Sequence, residues 1–211
     1  MPRIKVLPQF VTPAVATSQA VYHADAVNFS GDDYATIPSL TATNSDFTSI
    51  SFWFRRNGAP AVIDYFFVVN PSAPYHVVCY LDLNSFLVVR FADSPATSLS
   101  TIFFSNVCDN AWHNVIVSTN TNHTEADRKA GVDFKGYLDD VAAGNTNVSS
   151  TSGVGFQLAI NGDAVNVGAN LAGASPYSGD LADVWFGPNQ SLLTAGDISQ
   201  ATRRKFISAS G

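Results

Sequence analysis

Glu125 and Asp127 are the only two carboxylates in this chain spaced i and i+2, and Glu125 is its single glutamate. On a strand that spacing aims two carboxyl groups into one cleft, the arrangement that glycosidic-bond hydrolysis needs. Here the pair stands in a polar stretch between His123 and Arg128, with no apolar neighbours to raise one pKa above the other, so glycosidase chemistry is not expected. His23, His76, His113 and His123 are scattered, and no G-x-S-x-G, H-E-x-x-H or phosphate-cradling G-x-x-x-x-G-K motif occurs. The expectation is a protein with no catalytic residues.

Binding chemistry leaves more traces. Calcium takes several carboxylate and carbonyl oxygens, and Asp32, Asp33, Asp139, Asn161 and Asp163 form the candidate ligand set, with Asp140 and Asp180 as further carboxylates. No D-x-D-x-D-G loop gathers them, so no cofactor is expected other than calcium drawn from separate turns. A sugar site needs an aromatic platform beside amide or carboxylate groups. Tyr75 and His76 after Pro74, and Tyr177 after Pro176 with Asn170 nearby, are the candidates.

The elements that must position these residues read as strands. Short apolar runs separated by turn residues recur from about residue 21 to 187 without 3.6-residue periodicity, the pattern of an all-β sandwich. Between Phe47 and Arg55, Ile50, Phe52 and Phe54 alternate with Ser49, Ser51, Trp53 and Arg55, so one face is core. Val62 to Val69 and Phe86 to Phe91 are nearly continuous apolar runs, as in central strands covered on both faces. Asn161-Gly162 predicts a tight hairpin joining strands near 154 to 160 and 163 to 168. Thr119 to Arg128 and Gly144 to Ser152 are polar and aperiodic, hence loops. Thr194 with Asp197 three residues on predicts a capped helix over about 195–207, with Arg203-Arg204-Lys205 serving its dipole in the last turn.

At 211 residues, 46% apolar and 13% charged, with 15 Phe, 7 Tyr and 3 Trp, the chain can bury a core and is not disordered. Eleven Lys and Arg against seventeen Asp and Glu leave no surplus cation for phosphates, which argues against nucleic acid and anionic membranes as partners. No apolar stretch approaches the ~20 residues that cross a bilayer as a helix. Pro8, Gln9, Thr12 and Pro13 break the first apolar run, so no cleaved signal is expected, and Cys79 and Cys108 read as buried free thiols. Pro2, Pro8 and Pro13 predict instead an extended arm over residues 1–19, followed by one domain over 20–211. Ordering such an arm costs about 1 kcal/mol per residue, so it needs contacts with its own domain or a neighbouring subunit.

Four blocks, in order, resemble one superfamily. They are Ala26 to Pro38 (AVNFSGDDYATIP), Phe47 to Arg55 (FTSISFWFR), Trp112-His113-Asn114-Val115 with Tyr137-Leu138-Asp139, and Tyr177 to Phe186 (YSGDLADVWF). The chain resembles the laminin-G/pentraxin-like branch of the concanavalin A-like lectins and glucanases, over residues 26 to 187. That resemblance implies a two-sheet antiparallel jelly roll whose rim loops bind sugars or proteins. Within these blocks Trp53, Trp112 and Trp185 are expected to supply core area, and His113 to be a hydrogen-bonded structural histidine. The layout of arm, sandwich and basic closing segment is similar to proteins of tailed-phage virions. This implies a non-catalytic capsid decoration, cement or tail-adhesin protein, assembled in the host cytoplasm. Pro2, Arg3, Ile4, Val6, Leu7 and Phe10 of the arm would bind the major capsid protein or another virion subunit, and the protein would form a homo-oligomer such as a trimer. The alternative is a carbohydrate-binding module for cell-surface glycans.

Overall fold

A computed structural model describes residues 26–31, 33–42, 46–70, 77–92, 98–104, 107–121, 134–143, 145–150, 158, 160–170 and 174–207, with backbone only at 98–104 and 145–150. Thirteen strands among these residues form two antiparallel sheets. The six-stranded sheet runs β1(Val27–Ser30), β13(Ser178–Pro188), β3(Phe47–Asn57), β8(Asp109–Asn120), β9(Phe134–Leu138) and β10(Val141–Ala142). The seven-stranded sheet runs β11(Asn145–Ser150), β7(Ser98–Phe104), β6(Leu87–Ala92), β5(Val77–Leu81), β4(Asp64–Val69), β12(Val165–Val167) and β2(Ala35–Ile37). This is the expected jelly-roll sandwich.

The core lies between the sheets and follows the period-2 alternation. Ile50, Phe52 and Phe54 of β3 face Phe66, Phe67, Cys79, Val89 and Phe91 of the opposite sheet, all buried. A bulge between Tyr65 and Phe67 turns both Phe66 and Phe67 inward, since a bulge sets two residues against one partner. Phe66 stacks against Phe52, Phe54 and Tyr177, with ring centroids 5.6, 5.1 and 4.4 Å away. Central β4 and β6 are buried along nearly all their length, as their apolar runs predict, although β4 starts at Asp64 rather than at exposed Val62. Cys79 is buried in β5 and Cys108 is half-buried before β8; both are free thiols whose pKa burial pushes up.

Three local expectations are corrected. Asn161-Gly162 does turn the chain, with Gly162 at φ +86°, but β12 is flanked on both sides by β2 and β4 rather than by the expected strand near 154 to 160, most of which lies outside the described residues. The polar stretch Gly144 to Ser152 contains β11, which pairs with β7 through its backbone and needs no apolar alternation. The closing helix is only α1(Gln200–Arg203), capped by Ser199, because Thr194 and Asp197 bridge each other instead.

That closing segment straps the outer face of the six-stranded sheet. Ser49 Oγ donates to Gln190 O and Leu192 N donates to Ser118 Oγ, while Ile198, Leu192, Leu193 and Phe206 pack on Ile116 and Tyr137. Arg203 pins the strap by donating to Asp140 and to Ile198 O, its guanidinium 3.8 Å over the Tyr137 ring. Arg203 thus has the structural role expected of the basic triplet.

Gly168 is where the two sheets close. At φ +86°, it donates its N–H to Phe66 O and accepts from Tyr177 N, and a Cβ there would meet Phe29 Cε1 at 2.3 Å. Gly168→Ala therefore combines a left-handed backbone with overpacking and should lower stability by about 2–4 kcal/mol in urea unfolding; an unchanged midpoint would contradict this packing.

Candidate functional site

One end of the sandwich is marked by the start of β8 and the end of β3, where Asp109 faces Asn57. Across the outer sheet face near that end runs a row of register partners on four successive strands: Asn28, Asp180, Arg55 and Trp112. They point outward because Phe29, Leu181 and Phe54, their chain neighbours, point into the core. Asn28 Nδ2 donates to Asp180 Oδ1 at 2.8 Å, and Arg55 Nε donates to Asp180 Oδ2 at 2.8 Å with Nη2 at 2.6 Å. The Arg55 guanidinium lies 5.2 Å from the Trp112 ring centroid, within cation-π range. Asn28, Arg55 and Asp180 of the row also line a shallow cleft, together with Ser30, Arg56, Asn57, Asn110, Ser178 and Gly179.

Two buried devices hold this row. Tyr177, 0% exposed, donates its phenol to Arg55 O at 2.7 Å, so the core ties down the backbone under the row. Gly179 makes room for that phenol: a Cβ there would lie 2.4 Å from the hydroxyl. On the other flank, β8 pairs with β9 from Val115 onward, and Asn114 O still accepts from Asp139 N. His113, next in the chain, is held by side-chain contacts. Its Nδ1 bonds Asp139 Oδ2 at 2.6 Å and its Nε2 bonds Asp109 Oδ1 at 3.0 Å, and Asn114 N donates to Asp139 Oδ1. Carboxylates only accept, so these two contacts favour the protonated ring, in which both nitrogens donate. The Asp139 bond, ahead of the Asp109 bond and against the cost of burial, holds the His113 pKa above its ordinary value. His113 is thus the hydrogen-bonded structural residue expected.

The three tryptophans are not core residues. All lie on the outer face of the six-stranded sheet: Trp112 is 36% exposed, and Trp53 and Trp185 are half-buried by Phe206 of the strap. The sequence reading missed Trp112 as a platform. The alternation that puts Phe52 and Phe54 inside already put Trp53 outside, and pairing β8 to β3 extends the argument to Trp112.

Of the predicted sugar residues, Tyr177 and Asn170 fall among the described residues. Tyr75 and His76 lie outside the described residues. Tyr177 cannot present a ring face, because it is packed between Phe29 and Phe66. Asn170 is half-buried in a turn, its carbonyl accepting from Asn166 Nδ2. The predicted calcium set also separates. Asp139 is bound to His113 at the Asn57 end, and Asp33 accepts from Ser30 beside β1. Asn161 and Asp163 lie in the turn entering β12, at the opposite end, where Val165 faces Val69. Strands of this length put several strand residues, at ~3.3 Å each, between those ends. Asp32 lies outside the described residues, as do Glu125, Asp127 and all six arm residues. Among the described residues, no group of three or more His, Cys, Asp or Glu could hold a metal ion. No described helix is long and apolar enough to cross a membrane.

No protein-family model matches the sequence, and no curated protein matches it. Solved structures do share the fold. The LG1-3 region of the laminin α2 chain matches at TM-score 0.56 and 15% identity over 78% of this chain, which spans only 31% of that one. Domain 4 of AbnA, a GH43 extracellular arabinanase of Geobacillus stearothermophilus solved with arabinotriose, matches at 0.53 and 18%, covering 84% of this chain and 75% of the other. The CBM40 of the Ruminococcus gnavus IT-sialidase, bound to α2,6-sialyllactose, matches at 0.50 and 11%, over 84% and 98%.

The His113 clamp makes a pH prediction. Its raised pKa means that the stability it contributes is fully present below the unfolded value of about 6.5 and is lost as pH rises through the folded value. Urea midpoints of the wild type should fall across that window, and His113→Gln should remove that part of the slope; an identical pH profile in the variant would refute the clamp. These observations give the chain the two-sheet antiparallel jelly-roll fold that those solved domains share, with its candidate site on the outer face of the six-stranded sheet.

Proposed function

We propose that this chain is a non-catalytic, lectin-like recognition module that holds a saccharide on the Trp112, Arg55, Asp180 and Asn28 row. The observation that carries the reading is Trp112, presented on a rigid sheet face beside guanidinium, carboxylate and amide groups. An indole offers an apolar ring face for stacking and the neighbours offer hydrogen bonds, which is the division of labour a sugar requires. Asp180 is the row's only carboxylate and both its oxygens are occupied, so the row lacks the acid and base pair of glycoside hydrolysis. Two solved domains with this fold hold saccharides, which is consistent with the reading.

The particle-borne role expected from the sequence is compatible with this module: a decoration, cement or tail-adhesin protein would carry it on the virion through its arm. Its check is the copy number per purified phage particle, by quantitative mass spectrometry. Copies on the scale of the capsid lattice fit decoration, a few fit an adhesin, and absence removes the particle role.

The recognition reading predicts saturable binding on a glycan array, with and without calcium. Trp112→Ala should weaken it at least tenfold while leaving the unfolding transition nearly in place, because the side chain is partly exposed. A silent array in both conditions, or binding that survives Trp112→Ala, would overturn the reading.

A further inference from the structure

The shape and charge of the row say more about what it would hold. Its four side chains sit on four adjacent strands, so the row crosses the strands at one group per ~4.8 Å and extends about 14 Å from Trp112 to Asn28. It lies on a sheet face, and Asn28, Arg55 and Asp180 also line the shallow cleft. The strap's Phe206 with Trp53 and Trp185 borders it along one side, and Ser30, Asn57 and Asn110 of that cleft border it along the other. A ligand bound there is guided along the row. Its stacking group belongs at one end, over Trp112, and its last hydrogen-bonding partner, Asn28, at the other.

Charge decides the ligand's chemistry. The Arg55 guanidinium is spent on Asp180, whose second oxygen accepts from Asn28, so the row is internally neutral. The next guanidinium, Arg56, is spent likewise on Asp64, at 3.1 Å. An acidic sugar would find each of these cations already paired and would have to compete with a protein carboxylate. A hydroxyl-rich neutral chain needs no such exchange: it can add hydrogen bonds to groups already held in place.

Resting on the saccharide reading above, we infer that the row binds a neutral, extended oligosaccharide of about three units laid across strands β8, β3, β13 and β1, rather than a single terminal sugar or an acidic one. One unit covers Trp112, the middle of the chain passes over Arg55 and Asp180, and the far unit reaches Asn28.

Calorimetry with cello-, manno-, galacto- and xylo-oligosaccharide ladders of one to six units tests this. At least one ladder should gain about tenfold in affinity from one unit to three and then level off, with less than a twofold change between 50 mM and 500 mM salt. Asn28→Ala, at an exposed position, should weaken the trimer several-fold more than it weakens the monosaccharide, whereas Trp112→Ala should weaken both alike. A monosaccharide that binds as tightly as the trimer overturns the inference, as does an Asn28→Ala variant with full trimer affinity. Binding restricted to acidic glycans and lost in high salt also overturns it, yet leaves the saccharide reading intact if Trp112→Ala abolishes that binding. If no ladder binds, the inference fails, and the glycan array alone decides whether the broader reading stands.

Discussion

The register of β3 is the constraint on which the rest of the molecule depends. Its inner residues Ile50, Phe52 and Phe54 anchor the core against Phe66 and Phe91, while its outer residues Ser49, Trp53 and Arg55 meet the strap and the candidate site. Because side chains alternate with a period of two, a slip of one residue would exchange those sets completely. The register is fixed from both sides, by β8 at ten partners with a shift between Arg55 and Asn57, and by β13 across a bulge. Fold and site are therefore one decision.

The two halves of the outer face of the six-stranded sheet show how differently a sandwich can treat equivalent surface. Where Ile116 and Tyr137 point outward, the chain's own strap covers them, locked by Arg203 against Asp140 and Tyr137. Where Trp112 and Arg55 point outward, the described chain leaves them accessible and braces them from behind with Tyr177 and from the flank with His113. An exposed large aromatic whose supports are buried and hydrogen-bonded is pre-organised, so a ligand would not have to order it.

Much of this was legible in the residues. The sandwich and the inner face of β3 follow from simple alternation, and the central strands from continuous apolar runs. Other features were hidden for identifiable reasons. Tryptophan reads as core bulk, and only the pairing of β8 with β3 fixes the face of Trp112. Tyr177 has the opposite history: Pro176 beside it suggested a rim, yet its ring fills the gap between Phe29 and Phe66. β11 is made of Asn, Thr, Val and Ser and has no hydrophobic signal, since an edge strand is specified by its partner's backbone. The described members of the calcium set are spread, because turn residues close in composition lie at opposite ends of the sandwich, a fact of topology that spacing does not encode.

The central claim is that ligand lies on the row ending at Trp112. The chain has three tryptophans, so its spectrum holds three side-chain indole N–H signals, which makes the claim directly observable by NMR. Titration of isotope-labelled protein with a saccharide that binds should move the Trp112 indole signal most, move the bordering Trp53 signal less, and leave the signals of core residues such as Val89 and Phe91 in place. A saturating ligand that leaves the Trp112 signal where it was would contradict the account.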